Sequence, residues 1–260
     1  MSTSPPLPDR LKLAARRFLA AFITLGLRLR SRPLPLGGTS LWLVVAPHPD
    51  DETLGCGSLI YARRQAGLPL HVLFLTDGAA SHPGHPQFSP EQIAALRCAE
   101  STHALHELGV DTDALHFINA PDGTLAHLGP DAAAELIAQL SLKLTSLAPS
   151  FVCLPCRDDG SSEHDAAFGL IRRALAASEL RPRLLEYPIW SRWSPVRFAA
   201  RLLHRSTIWR VNVRIAAAHK ARALTVFNSQ SDPLPPWIQS VLPPGFTAFF
   251  ASGEEFFFEQ

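Results

Sequence analysis

The densest cluster of reactive side chains in this chain is Ala46-Pro47-His48-Pro49-Asp50-Asp51-Glu52, with one imidazole and three carboxylates. Acids packed this closely repel one another unless something positive sits among them, and a divalent cation is the simplest such partner. The competing reading is a solvated acidic turn. Pro47 and Pro49 argue against it, because they stiffen a loop that solvation alone does not need stiff. A catalytic zinc takes three protein ligands and keeps one position for water. His48 and Asp51 can supply two of the three. The third is expected from a neighbouring loop, and His164, at the end of Asp158-Asp159-Gly160-Ser161-Ser162-Glu163-His164, is the candidate. Two histidines and one aspartate would also accept Fe(II).

These residues need a scaffold that brings loop ends together, and the pattern predicts one. Leu41–Ala46 is a continuous apolar run, as expected of a buried parallel strand. Further strands are expected at Leu70–Leu75, Leu115–Ile118, Phe151–Leu154 and Leu184–Tyr187. Helices are expected around 55–66, 90–108, 130–147 and 164–177. Ser89-Pro90 reads as a helix start, with serine as the cap and proline at the first helical position. Strands alternating with helices imply a doubly wound, mostly parallel α/β sheet with helices on both faces. In such sheets ligands bind beyond the carboxyl ends of the strands, where both the His48 loop and the His164 loop fall. Beyond residue 188 the pattern loosens. A strand at Ile208–Val213 and a helix at Ile215–Leu224 are expected, and the late phenylalanine run is left without an element.

The motifs, in their order, resemble the LmbE-like, or PIG-L, family of zinc-dependent N-deacetylases. The resemblance runs over about residues 41–232. It rests on His48-Pro49-Asp50-Asp51-Glu52, Gly55-Cys56-Gly57, Thr76-Asp77-Gly78, Arg97 with Glu100, Pro121-Asp122-Gly123, Lys220 with Ala223-Leu224, and Ser229-Gln230. It implies a Rossmann-like fold and hydrolysis of an N-acetyl group on an amino-sugar compound. By position, His48, Asp51 and His164 match the zinc ligands and Asp50 the general base. Arg97 and Asp122 fall where relatives contact sugar hydroxyls, although Arg97 can equally pair with Glu100 on its own helix. One position departs from the family pattern. The family reads His-x-Asp-His before the helix, and its first histidine is thought to help stabilise the oxyanion; this chain has Ser161-Ser162-Glu163-His164. Three consequences stand open: Ser161 donates the hydrogen bond itself, His82 or His85 reaches in from the loop after Asp77, or turnover is weak or lost and the chain serves as a metal- or sugar-binding protein. Amidase cleavage of a sugar–thiol conjugate is a further alternative.

The 260-residue chain carries a net charge of +1, which gives no general attraction to nucleic acid. Gly55-Cys56-Gly57 is not a dinucleotide fingerprint, since residue 60 is isoleucine. Four scattered cysteines do not make a disulfide framework and suggest a reducing, cytoplasmic setting, with Cys153 and Cys156 read as packing residues. The domain reading is a disordered start and basic amphipathic helix over 1–40, a core over 41–232 with a Trp/Arg-rich cap at about 190–214, and an extension over 233–260 packed on the core. The first nine residues are expected to be disordered. Leu11, Ala15, Phe18, Phe22, Leu25 and Leu29 then form one helical stripe among basic residues. Such a helix either docks on its own domain or lies on an anionic membrane surface, and with the Trp/Arg stretch it suggests peripheral membrane contact and a lipid-linked substrate. No secretory signal is read in the segment, and its apolar stretch falls short of the roughly 20 residues a bilayer requires.

Overall fold

The computed structural model describes residues 7–194 and 207–259. Among them, eight strands form one sheet in the order β1-β7-β8-β6-β5-β2-β3-β4. The strands are β1 (Arg32–Pro33), β2 (Trp42–Ala46), β3 (Leu70–Thr76), β4 (Leu115–Ala120), β5 (Phe151–Pro155), β6 (Arg183–Tyr187), β7 (Thr207–Asn212) and β8 (Glu254–Glu259). All pairings are parallel except those of β8, which runs antiparallel to both β6 and β7. β2 is buried along its whole length, the burial that its unbroken apolar run predicts. The expected strands and helices are therefore present, in a doubly wound α/β sheet. β8 comes from the unassigned phenylalanine run: Phe256, Phe257 and Phe258 are buried on alternate faces of an interior strand.

The helices that matter for the site are α2 (Asp51–Gln65), α3 (Pro90–Glu107), α4 (Pro130–Leu147) and α5 (Ser162–Ala177). One apolar layer joins α2 and α3 to one side of the sheet through Leu59, Ile60, Val44, Val72 and Leu105. The other layer joins α4 and α5 to Val45, Leu73, Val152 and Leu154. Odd and even residues of β2 thus face different helices, as the strand period requires. α3 opens with the expected serine cap: Ser89 Oγ accepts from Gln92 N, and Gln92 Oε1 accepts from Ser89 N. α2 begins four residues earlier than its apolar pattern suggests, because Asp51 and Glu52 sit in its first turn, where a helix N-terminus favours acids.

One expectation is corrected at the N-terminus, and an orientation that the sequence leaves open is seen. Leu7–Asp9, expected to be disordered, open helix α1 (Leu7–Arg30), while residues 1–6 lie outside the described residues. The stripe of large apolar residues is also not the docked face. α1 packs through Ala20, Ile23 and Leu27, which are buried, with Ile23 and Leu27 set against Ile208, Phe256 and Phe258. Phe18, Phe22, Leu25 and Leu29 stay exposed. Of the stretch 190–214, Trp190–Trp193 form the short helix α6, Thr207–Asn212 form β7, and 195–206 lie outside the described residues. Helix α7 (Arg214–Leu224) follows and packs on α2. Cys56, Cys98, Cys153 and Cys156 form no disulfide among the described residues, and all but Cys98 are buried.

Candidate active site

The β2–α2 loop is tied down on every side. Thr76 donates to Pro47 O through both its amide (3.0 Å) and its hydroxyl (2.8 Å), clamping the loop to the end of β3. Arg97, buried on α3, donates to Pro49 O at 2.7 Å and to Gly78 O at 3.4 Å. Gly78 has φ +72°, and a Cβ there would stand 3.0 Å from Pro49 Cδ, so glycine is needed for both conformation and space. Asp50 pivots the chain into α2 with φ 157° and ψ −25°, a backbone conformation that non-glycine residues rarely adopt. Glu52, fully buried, accepts from Asp50 N at 3.0 Å and Thr53 Oγ1 at 2.7 Å, holding that pivot. Two further contacts seat α2. The ring of Tyr187 lies directly against Gly55, leaving no room for a side chain, and its hydroxyl donates to Val45 O. Lys220, buried on α7, donates to Leu54 O and pairs with Glu255, whose carboxylate accepts from Ser58 N and Leu59 N.

His48, Asp51 and His164 converge at the sheet's carboxyl end. His48 Nδ1 stands 3.1 Å from Asp51 Oδ2, and His164 Nε2 stands 3.4 Å from Asp51 Oδ1. All three offer ligand atoms within 4.8 Å of one another. Ligands at about 2.0–2.1 Å from a tetrahedral ion stand roughly 3.3 Å apart, so the trio fits a zinc-sized cation. His164 Nε2 is fully buried and has no hydrogen-bond partner among the described residues, the state expected of a nitrogen reserved for a metal. Its other nitrogen, Nδ1, lies 2.8 Å from Asp159 Oδ2. Asp159 is itself buried and also accepts from the amides of Ile189, Trp190 and Ser191 and from the Ser191 hydroxyl. A carboxylate behind a histidine fixes the tautomer that leaves the far nitrogen free to ligate.

The electrostatics are those of a site short of positive charge. Burial alone would lower the pKa values of the two rings. Instead, carboxylates raise His48 to about 9, through Asp122 and Asp51, and His164 to about 10, chiefly through Asp51 and Asp159. Asp51 is held well below the usual carboxylate range: His164 and His48 outweigh its burial. Burial pushes Asp50 up to about 7, although Arg97, whose Nη2 is 3.3 Å from Asp50 Oδ2, pulls the other way. A carboxyl poised near neutrality can exchange protons at working pH.

His48, Asp50 and Asp51 open onto a cavity of about 570 Å³, within the usual range for small-molecule sites. His48, Asp50, Asp51, Arg97, Asp122, Ser161 and Glu163 give it a polar floor, and Trp190, Val241, Leu242 and Phe246 give it an apolar wall. Asp122 approaches His48 Nε2 at 3.3 Å, and its other oxygen accepts from Ala80 N. Ser161 is the N-cap of α5, with Oγ accepting from His164 N at 3.4 Å. Arg97 does not pair with Glu100, which accepts instead from Ser229 N and Oγ. His82 and His85 do not reach this cavity. Both are buried against Trp237 and line an adjoining hollow, and the His85 Nε2 stands 3.2 Å from Leu234 O. Sequence reasoning did not single out Asp159 as part of the site.

The PIG-L family model, described as GlcNAc-PI de-N-acetylase, matches residues 43–175, slightly more than half of the chain and the span that holds every residue of the trio. The chain belongs to the PIG-L family. Over 148 residues it is 29% identical to a probable N-acetyl-alpha-D-glucosaminyl L-malate deacetylase 2 of Bacillus subtilis, an alignment covering 55% of this chain and 65% of that protein. The chain thus spans less than two thirds of the curated relatives it matches. Among solved structures, the N,N'-diacetylchitobiose deacetylase of Pyrococcus horikoshii superposes with a TM-score of 0.59 at 19% identity, covering 91% of this chain and 83% of that one. The 4-carboxy-2-hydroxymuconate hydratase GalB of Pseudomonas putida superposes with a TM-score of 0.58 at 17% identity, covering 74% and 80%. At such identities the likeness is one of fold, and the fold carries more than one chemistry.

Proposed function

We propose that this chain is a divalent-metal-dependent hydrolase that removes the acetyl group from an N-acetylated amino sugar of the N-acetylglucosamine class. The observation that carries the reading is the His48–Asp51–His164 trio, whose buried His164 Nε2 makes no hydrogen bond, set beside a cavity of sugar size that His48, Asp50 and Asp51 line. Membership of a de-N-acetylase family and similarity to a glucosaminyl-malate deacetylase supply the substrate class. His48, Asp51 and His164 would hold the ion, with zinc preferred and Fe(II) the alternative for the same donors. When bound, a divalent ion supplies Lewis acidity, polarising the amide carbonyl and making water a better nucleophile.

The chain's own groups do the rest. Asp50 takes a proton from the attacking water and returns it to the departing nitrogen, so that the C–N bond breaks to acetate and a free amine. Arg97 and Glu52 hold Asp50 in place. Ser161 lines the cavity at the cap of α5, and its hydroxyl proton is a donor that could serve the tetrahedral oxygen. Asp122 offers a carboxylate to sugar hydroxyls, and the Trp190 and Phe246 faces cover the apolar side of the ring.

A second reading, a metal- and sugar-binding relative with little turnover, is favoured by one observation: among the described residues, His48 and His164 are the imidazoles at this site, with no third one where the family pattern has it. Acetate release from a panel of N-acetylglucosaminides by metal-loaded protein, with Asp50→Asn alongside, decides between them. Release abolished in the variant supports hydrolysis. Stoichiometric metal and bound sugar without release support the binding protein.

A further inference from the structure

Helix α1 leaves a large apolar surface uncovered. Phe18, Phe22, Leu25 and Leu29 are 77%, 63%, 50% and 79% exposed. At spacings of four, three and four they fall in one narrow stripe. They are half of the large exposed apolar side chains among the described residues, gathered on three turns of one helix. Scattered single exposed apolar residues need no explanation, but a contiguous row does. The helix has no freedom to roll this row inward, because its opposite face is already spent: Ile23 and Leu27 are buried against Ile208, Phe256 and Phe258.

The charge around the row selects what covers it. Between Asp9 and Asp50 the chain has no acidic residue, whereas Arg10, Lys12, Arg16, Arg17, Arg28, Arg30 and Arg32 are all basic. Arg28 is paired with Glu254, yet the segment keeps a strong positive excess. A second copy of the chain is disfavoured as partner, since two such faces would bring like charges together. Nucleic acid would meet the charge but leave the apolar row in water. An anionic lipid surface satisfies both features, with headgroups meeting the basic residues and the acyl boundary taking up the apolar row. Crossing the bilayer is excluded for this helix as folded: among the described residues no helix is long and apolar enough to span one.

We infer that α1 is a docking element that lies in the plane of an anionic membrane surface and seats the folded domain on it. The inference is independent of the chemistry assigned to the cavity, but it has a consequence for it. Arg16 donates to Trp193 O at 2.9 Å and lies over the Trp193 ring, which packs on Phe246 of the cavity wall at 4.9 Å between centroids. A docked α1 therefore holds that wall beside the lipid surface.

The test is co-sedimentation of the full chain with vesicles of phosphatidylcholine alone and of phosphatidylcholine with phosphatidylglycerol. The expected result is binding to the anionic vesicles that weakens as salt rises. Phe18→Ser and Phe22→Ser should each weaken binding roughly tenfold while leaving the melting temperature unchanged, because these side chains touch solvent rather than core. An Arg10→Gln/Lys12→Gln/Arg17→Gln variant should lose the preference for anionic vesicles. Protein that remains in the supernatant with both vesicle types overturns the inference, as does equal, salt-independent binding to neutral vesicles. A dimer in solution that Phe18→Ser dissociates, without any vesicle binding, would assign the face to self-association instead.

Discussion

Asp159→Asn should disable metal binding while barely altering shape. Every partner of the Asp159 carboxylate is a donor. Oδ1 accepts from Ile189 N, Ser191 N and the Ser191 hydroxyl, and Oδ2 from Trp190 N and His164 Nδ1. An asparagine places its amide oxygen best where three donors meet, so its NH₂ group faces Trp190 N and His164. The imidazole can then avoid a donor–donor clash only by accepting at Nδ1, which puts its proton on Nε2, the nitrogen that a metal needs. Loss of a carboxylate behind a ligating histidine costs about 10- to 100-fold in metal affinity. The stranded Trp190 amide should add a fall in stability of about 1–3 kcal/mol. Competition against a chelator measures the first effect and chemical denaturation of the metal-free chain the second. Metal affinity within twofold of the unsubstituted chain would show that Asp159 does not set the His164 tautomer, and the ligand geometry argued here would fall with it.

Four further outcomes are expected. Metal-free protein carries His48 and His164 with pKa values raised to about 9 and 10, so at neutral pH both must lose a proton when they ligate; metal affinity should rise with pH, with proton uptake by buffer measurable calorimetrically. By the same linkage, the stability these two rings give the metal-free fold is complete below about 6.5 and drains away as pH climbs through 9 and 10, which a series of denaturation curves would trace. Lys220→Met leaves Glu255 buried without its cation and should cost about 3–5 kcal/mol, read as a lower denaturation midpoint. Ser161→Ala removes both the α5 cap, worth about 1 kcal/mol, and the hydroxyl of a residue that lines the cavity; acetate release should fall well beyond what the stability change explains, whereas Ser161→Thr should retain most of it.

What the sequence made legible, and what it did not, follows from the range of the interactions involved. β2 and the His48 loop are local: an unbroken apolar run can be a parallel strand, and a charged, proline-braced loop at its end lies where ligands bind in such sheets. Asp159 was not legible, because nothing in its type or spacing separates it from its neighbour Asp158. Its role comes from three amides about thirty residues further on, which only folding brings under it. β8 was missed for a related reason. As an interior strand between β6 and β7 it is buried on both faces, so its phenylalanines run together instead of alternating, and a run of three is too short for its period to separate strand from helix. His82 and His85 line the adjoining hollow because the fold packs them against Trp237, a contact that residue type alone does not reveal.

α1 gives the sharpest case, because its helical period was legible in the sequence and its orientation was not. The segment carries two apolar rows, one of Ala20, Ile23 and Leu27 and one of Phe18, Phe22, Leu25 and Leu29. Periodicity finds both but cannot say which one faces the sheet. Size suggests the second, since burying phenylalanine and leucine yields more than burying alanine. The fold chooses the first, whose Ile23 and Leu27 fit against the β8 phenylalanines. Had the larger row been the docked one, α1 would expose only the smaller row of Ala20, Ile23 and Leu27 among its basic residues. It is the smaller row facing inward that leaves an apolar strip among arginines, and that inversion is the physical ground for assigning the helix to a lipid surface.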